Sequence, residues 1–450
     1  MRKPAVPPSE GAVVVVGAGL AGSEAALVLS AAGIPVELVE MRPAVSSAAH
    51  RTGWFGELVC SNSLGSEEQS SGKGLLKAEL LELGSNLIHL ARRARVPAGK
   101  ALAVDREMFG RMVTEAVCTR TGIRLTASEA RSIPDAPIVI LACGPLPSEA
   151  LSASMASFLG DAGCYFYDAI SPIVDASTID REEAFTADRY GAGEGDYLNL
   201  PMTRERYESF LAELLAARTV PAREFEEERY FESCMPLETM ARRGPETLLY
   251  GPLRPVGLRD PRTGRTPYAV VQLRKENAAG TMLNLVGFQT RLAYPEQERV
   301  FSMIPGLSRA KFLRHGSVHR NAFIDAPRHL HPWLECKKRP GLFFAGQISG
   351  VEGYVESIAA GLVAAVSAAE RAEGRDPVPF PGISMTGALL RHISSPGAGA
   401  FQPMNANFGL LPEPSLGKKR ERKARQAEAA LSAIADFRKS FFKFNPLCVT

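Results

Sequence analysis

The sequence predicts an α/β fold, a Rossmann-like dinucleotide-binding domain interrupted by an inserted mixed α+β domain. Three observations predict it. Val13 to Val16 is a run of β-branched residues that opens into a GxGxxG turn, Gly17-Ala18-Gly19-Leu20-Ala21-Gly22. A second strand-like run, Pro35 to Val39, ends on an acidic residue, Glu40. Far along the chain, Leu342 to Ala345 repeats the pattern of a short apolar strand running into a glycine, Gly346, ahead of a helix.

The first turn is the most specific. Gly17 permits the tight turn, Gly19 lets the backbone approach a pyrophosphate, and Gly22 lets the helix pack close to the strand. The helix start offers unpaired N–H groups and the positive end of its dipole to phosphates. Glu40 stands 23 residues beyond Gly17, where a carboxylate holds ribose hydroxyls. Pro137 to Leu141 reads as a buried strand running into a small-residue turn, Ala142-Cys143-Gly144-Pro145. After Gly346 comes a turn to Gly353 and a helix from Val355 to about Glu373, with Tyr354, Glu356 and Ser357 at its start. Two glycine turns, one near each end of the chain, favour FAD over NAD, because FAD is long enough to thread both. The expected cofactor domain is therefore of the glutathione-reductase flavoprotein type.

The intervening chain follows the same logic. Residues 43 to 73 are rich in Ser and Gly, contain Cys60, and read as a long loop, a length uncommon unless functional or disordered. Gly74 to Arg93 carries Leu75, Leu76, Leu80, Leu83 and Leu87 at helical spacing. Val104 to Cys118 reads as a helix started by Asp105. From about 166 to 329 the alternating βα rhythm is lost, although Arg204 to Ala217 is a strong helix. The expected division is a disordered tail over 1–10 and a first FAD-binding part over 11–165. An inserted substrate domain over 166–329 follows, then a second FAD-binding part over 330–415 and a basic amphipathic helix over 416–450.

Composition narrows the class. The chain has 450 residues, 45% hydrophobic and 22% charged, with a formal net charge of +3. That is ordinary globular composition, and too weakly basic for charge alone to argue for nucleic acid. Arg2 and Lys3 precede an apolar run, as in a secretory signal, but the glycine turn and Glu24 break it. No uninterrupted stretch reaches transmembrane length. The seven cysteines lack CxxC or Cys/His metal spacing; they read as free thiols of a reducing cytoplasm, with no metal site. Cys60 lies among hydroxyl and amide residues, unlike a core cysteine, and Cys234 sits at a local turn before Pro236. Cys118, Cys143, Cys164, Cys336 and Cys448 read as small buried apolar residues. His329 and His331 read as surface residues of a Pro-bounded loop.

Several stretches in order carry a family likeness: GAGLAGSEAA from Gly17, LVCSNSL from Leu58, ALAVDR from Ala101, CMPLE from Cys234, NLVGFQT from Asn284, VFSMIPGL from Val300 and GYVES from Gly353. Over residues 12 to 415 the chain resembles the TrmFO family, folate- and FAD-dependent tRNA (uracil-5-)-methyltransferases. It departs from the family pattern at Gly65, where a basic residue is usual, and at Cys143, where threonine is. The resemblance implies methylation at C5 of a uridine in the tRNA T loop. The carbon comes from 5,10-methylenetetrahydrofolate and the electrons from reduced FAD, replenished by NADPH or NADH. Uracil C5 is a poor nucleophile until a thiolate adds at C6. On this resemblance Cys234 is the attacking thiol, Cys60 stands on the flavin side, and Tyr354 is the candidate base. Phosphate contacts are expected from Arg92, Arg93, Arg95 and Lys100, and from Lys418, Lys419 and Arg420. The alternatives are an MnmG (GidA)-like flavoprotein modifying the wobble uridine, a small-molecule FAD oxidoreductase, and a flavin-containing binding protein without turnover.

Overall fold

The computed structural model describes residues 11–47, 49–160, 164–189, 195–220, 235–397, 401–412 and 419–441. Its centre is a five-stranded parallel sheet in the order Leu342–Phe344, Val139–Leu141, Val13–Val16, Val36–Glu40, Ile123–Ala127. The central strands are buried on both faces, which is why they read as continuous apolar runs. Helix Leu20–Ala31 packs against helix Tyr354–Ala372. Gly361 allows this: a Cβ there would lie 2.2 Å from the Ala21 carbonyl oxygen. The two helix starts flagged by the glycine turns are thereby brought side by side.

A six-stranded antiparallel sheet follows, in the order Phe185–Thr186, Leu198–Met202, Ala269–Lys275, Met282–Leu285, Ile173–Asp175, Phe312–Arg314. Helix Arg204–Ala216 buries Tyr207, Phe210, Leu211 and Leu214 in a core of its own with Phe288 and Phe301. Strands Cys164–Ile170 and Ser317–Phe323 pair as an antiparallel ribbon flanking this sheet in the sequence.

Four local expectations change. The helix expected over Gly74 to Arg93 is two helices, Gly72–Glu82 and Asn86–Arg93. Gly84 lies between them at φ +79°, and Ser85 caps the second by accepting the Ile88 N–H at 3.4 Å; the leucine face stays buried. The loop from 43 to 73 contains a strand, Ser63–Ser66, paired with Ala101–Val104. Cys118 is exposed on its helix rather than buried. His329 is buried rather than on the surface, at 7% exposure. Asp105 caps helix Arg106–Cys118 through the Met108 N–H, as its position suggested. The C-terminal helix Lys419–Phe441 buries Ala427, Ala430, Ile434 and Phe437 against the core, where Phe437 meets Phe380 at 4.5 Å between ring centroids.

Three buried charges shape the stability. Glu24 accepts the Asn86 and Leu87 N–H groups, and Glu79 those of Met385 and Thr386. Each carboxylate caps the start of a neighbouring helix, satisfying orphan donors. Burial nonetheless pushes both carboxyls up to about 7. Lys77 donates to the Leu64 and Gly65 carbonyls, and burial pulls it down to about 7. With a folded-state value below the unfolded one, Lys77 binds fewer protons when folded, so its penalty is full below pH 7 and fades as pH climbs towards 10.5. The two glutamates behave oppositely: their penalty is absent below 4.5, grows between 4.5 and 7, and is full and constant above that. The melting temperature should therefore rise between pH 7 and 9.5, and Lys77→Met should flatten that rise. Thermal melts of both proteins across this window check it; parallel curves would refute the assignment to Lys77.

Candidate active site

The glycine turn is fixed by contacts that tolerate no side chain. Gly17 has φ +97°, and a Cβ on it would lie 2.5 Å from the Ala142 carbonyl oxygen. A Cβ on Gly22 would lie 1.8 Å from the Gly17 carbonyl oxygen. At Gly19, by contrast, a Cβ would meet nothing within 4 Å; this residue lines an open cleft with about 1040 Å3 of space in and at the mouth of it.

Gly17, Gly19, Leu20, Ala21, Glu40, Gly144, Gly346, Tyr354 and Ser357 all line this cleft. Ala18, Gly22 and Glu356 do not; they build its wall from behind. Ala18 gives its N–H to Glu40 Oε2 at 2.6 Å, Gly22 seats the helix, and Glu356 is fully buried, accepting the Ala406 N–H at 3.0 Å. Burial opposes the Glu40 charge, but the Arg42 guanidinium and the Ala18 and Arg42 amides outweigh it and hold the carboxyl below its ordinary value. The acid thus stays ionised at the strand end, where a ribose would lie. Burial pushes the Cys143 thiol, also in the cleft, up to about 12.

Both helix starts at the cleft follow a glycine, Gly19 and Gly353, and neither has a side-chain cap. Ser71, Ser85, Asp105, Ser148, Thr203 and Ser384 cap other helices. Two uncapped helix N-termini, an open glycine and an ionised acid at a strand end fit the phosphates and ribose of a flavin dinucleotide.

A second pocket of about 980 Å3 adjoins the first. Cys60, Ser61, Lys73, Gln289, Asn321, Glu352 and Gly353 line it, and Gln347, Tyr354, Val59 and Pro145 line both. Tyr354 is the hinge of the arrangement: its hydroxyl oxygen accepts the N–H of Cys60 at 2.7 Å and of Ser61 at 3.0 Å. Burial, then the neighbouring Cys60, push this phenol well above its ordinary value, against the opposing pull of Arg106 and the two amides. Through these two hydrogen bonds Tyr354 anchors the Cys60 loop.

Cys234 and Lys418 lie outside the described residues. Among the other cations expected to meet RNA, Arg92 and Arg95 pair with Glu67, and Lys100 pairs with Glu68 at 2.7 Å. Arg93 lines a separate groove with Asn86 and Arg120. Lys419 starts the C-terminal helix, and Arg420 is exposed on it. None of these lines the Cys60 pocket, whereas Lys73 does. Sequence reasoning assigned no role to Lys73, Gln347, Glu352, Asn321 or Gln289. Gln289 had a signal, since it lies in the stretch from Asn284 that carried the resemblance; the other four had none. Among the described residues there is no cluster able to hold a metal ion, and no helix is long and apolar enough to cross a membrane.

Comparisons with known proteins agree with this geometry. The glucose inhibited division protein A family matches residues 12–376. The methylenetetrahydrofolate--tRNA-(uracil-5-)-methyltransferase TrmFO of Sulfurihydrogenibium sp. is 51% identical over 429 residues, covering 95% of this chain and 98% of the relative. Its namesakes from Geobacter sulfurreducens and Enterococcus faecalis are 52% and 50% identical, each covering 94% of this chain and 98% of the relative. Among solved structures, Aquifex aeolicus GidA superposes with a TM-score of 0.71 at 18% identity, covering 97% of this chain and 74% of that one.

Proposed function

Because the chain belongs to the TrmFO group within the glucose inhibited division protein A family, we propose that it is a methylenetetrahydrofolate-dependent tRNA (uracil-5-)-methyltransferase. The observation that carries the reading is the pair of adjoining pockets with Tyr354 in their common wall and Cys60 beside it. The substrate is a T-loop uridine, and NADPH or NADH is the reductant. Bound FAD supplies the electrons that reduce the transferred carbon to a methyl group, and the protein orients the partners.

The residues divide the work. Gly17, Gly19 and the two helix starts bind the cofactor phosphates, and Glu40 holds a ribose. Cys234 adds to uracil C6 and activates C5. Supporting this, Leu237 gives its N–H to the Gln289 carbonyl at 2.7 Å, and Gln289 lines the Cys60 pocket. The chain that follows Cys234 is thus fastened to the pocket wall. Cys60 works on the flavin side of the same pocket. Presenting a uridine there requires its extrusion from the folded loop, at a cost of a few kcal/mol. Arg93 and the basic start of the C-terminal helix contact phosphates directly, while Arg92, Arg95 and Lys100 exchange their glutamate partners for RNA. A tRNA substrate of this kind places the enzyme in the cytoplasm.

Tyr354→Phe should retain FAD but lose the acceptor of the Cys60 and Ser61 amides, lowering turnover about 10- to 100-fold by misplacing the thiol. Steady-state kinetics check it, and unchanged turnover would remove Tyr354 from the mechanism. The reading as a whole is tested by tritium release from tRNA labelled at uracil C5. Release with methylenetetrahydrofolate and NADPH, but not with S-adenosylmethionine, is the expected result. A yellow, FAD-loaded protein that releases nothing in either tube would point to a small-molecule oxidoreductase.

A further inference from the structure

The main chain around Cys60 is held by side chains that arrive from a helix beside the parallel sheet and from the antiparallel sheet. Arg106 gives Nη1 to the Leu58 carbonyl at 2.7 Å and Nη2 to the Cys60 carbonyl at 3.4 Å. Arg314 gives Nη2 to the Val59 carbonyl at 2.9 Å. Asn62 donates to the Val104 and Lys275 carbonyls and accepts from Arg274 Nε at 2.9 Å. Arg106 opens a helix beside the parallel sheet. Its partner Glu276, at 2.6 Å and 3.2 Å, directly follows strand Ala269–Lys275 of the antiparallel sheet. Arg314 ends strand Phe312–Arg314 of that same sheet.

This arrangement is costly. Two guanidinium groups stand side by side against carbonyls, and only one of them has a carboxylate in the hydrogen bonds above. Arg314 is pulled below its ordinary value by burial and by the charges of Arg106 and Arg51. Its Nε is buried without a hydrogen-bond partner among the described residues. A neutral hydrogen-bonded loop would be cheaper. What the charges provide is geometry: planar forks fix several carbonyls at once, and reacting groups must be held to within about 0.5 Å.

We propose that Arg314 and the Arg106–Glu276 pair are positioning residues that couple the antiparallel sheet to Cys60, fixing where its thiol meets the wall shared by the two pockets. The proposal rests on the functional reading above, in which Cys60 takes part in the reaction. Displacement of the sheet is transmitted to three consecutive carbonyls, and hence to the sulfur.

The test uses FAD-loaded Arg314→Lys, which keeps a cation without the fork, and Glu276→Gln, which keeps the shape without the charge. Turnover and KM for tRNA come from tritium release. Labelling of Cys60 by iodoacetamide is followed by peptide mass spectrometry, separately from activity. Both variants should keep FAD and near-normal KM, lose about 10- to 100-fold in kcat, and label Cys60 severalfold faster than the unaltered protein. Normal kcat in both variants, or reduced kcat with unchanged Cys60 labelling, would overturn the proposal. Loss of FAD in one variant leaves the decision to the other, and loss in both would show a purely structural role, also against it. If the unaltered enzyme releases no tritium, the functional reading fails, while the labelling comparison still decides whether these residues place Cys60.

Discussion

Cys234→Ala is expected to lower methyl transfer to tRNA by roughly 1,000-fold or more, as loss of a covalent nucleophile does elsewhere, while leaving the protein yellow with FAD. The separation follows from location. The cofactor residues belong to the parallel sheet and its two helix starts, whereas the chain after Cys234 is fastened to Gln289 on the far side of the shared wall. Without the thiol, C5 of the uracil is not activated. The covalent enzyme–RNA adduct should vanish on a denaturing gel in parallel with turnover. An adduct that persists at wild-type yield in Cys234→Ala would reverse the roles and make Cys60 the attacking thiol.

The second large effect is on the cofactor. Gly22→Ala should abolish stable FAD binding and lower the melting temperature, because the new methyl group would stand 1.8 Å from the Gly17 carbonyl oxygen and 3.2 Å from the Ala142 side chain. Neither the Gly17 carbonyl nor the turn that carries it can retreat without moving Gly17, whose own position is set by Ala142. Overpacking of this kind costs about 1–3 kcal/mol, and it falls on the turn that faces the pyrophosphate. The ratio of flavin to protein absorbance after purification measures the effect. Gly19→Ala makes a useful comparison, since space at that position is open towards the cleft: it should leave the fold intact and weaken only FAD. Full flavin content in Gly22→Ala would refute this account of the turn.

Four of the five parallel strands, both glycine turns and the Asp105-capped helix are legible in the residues alone. These rest on periodicity and on turn chemistry, which act over a few residues and leave a local trace. The sequence also carried the family, because ordered stretches such as those from Leu58 and Gly353 are specific at the level of residue identity. The remaining features depend on contacts between distant parts of the chain. Leu342–Phe344 pairs beside Val139–Leu141 across some two hundred intervening residues, and nothing local encodes that neighbour. Tyr354 meets the Cys60 amide across 294 positions, a contact that ties the start of one helix to a distant loop. Three of the cations expected to face RNA, Arg92, Arg95 and Lys100, are met by Glu67 and Glu68, a pairing that net charge cannot reveal. Gly84 and Ser85 divide a helix whose leucine spacing continues unbroken. Hydrophobic spacing records which side faces the core. Desolvation and long-range hydrogen bonds depend on what the fold places opposite, and these set the protonation and partners of the groups that do the chemistry.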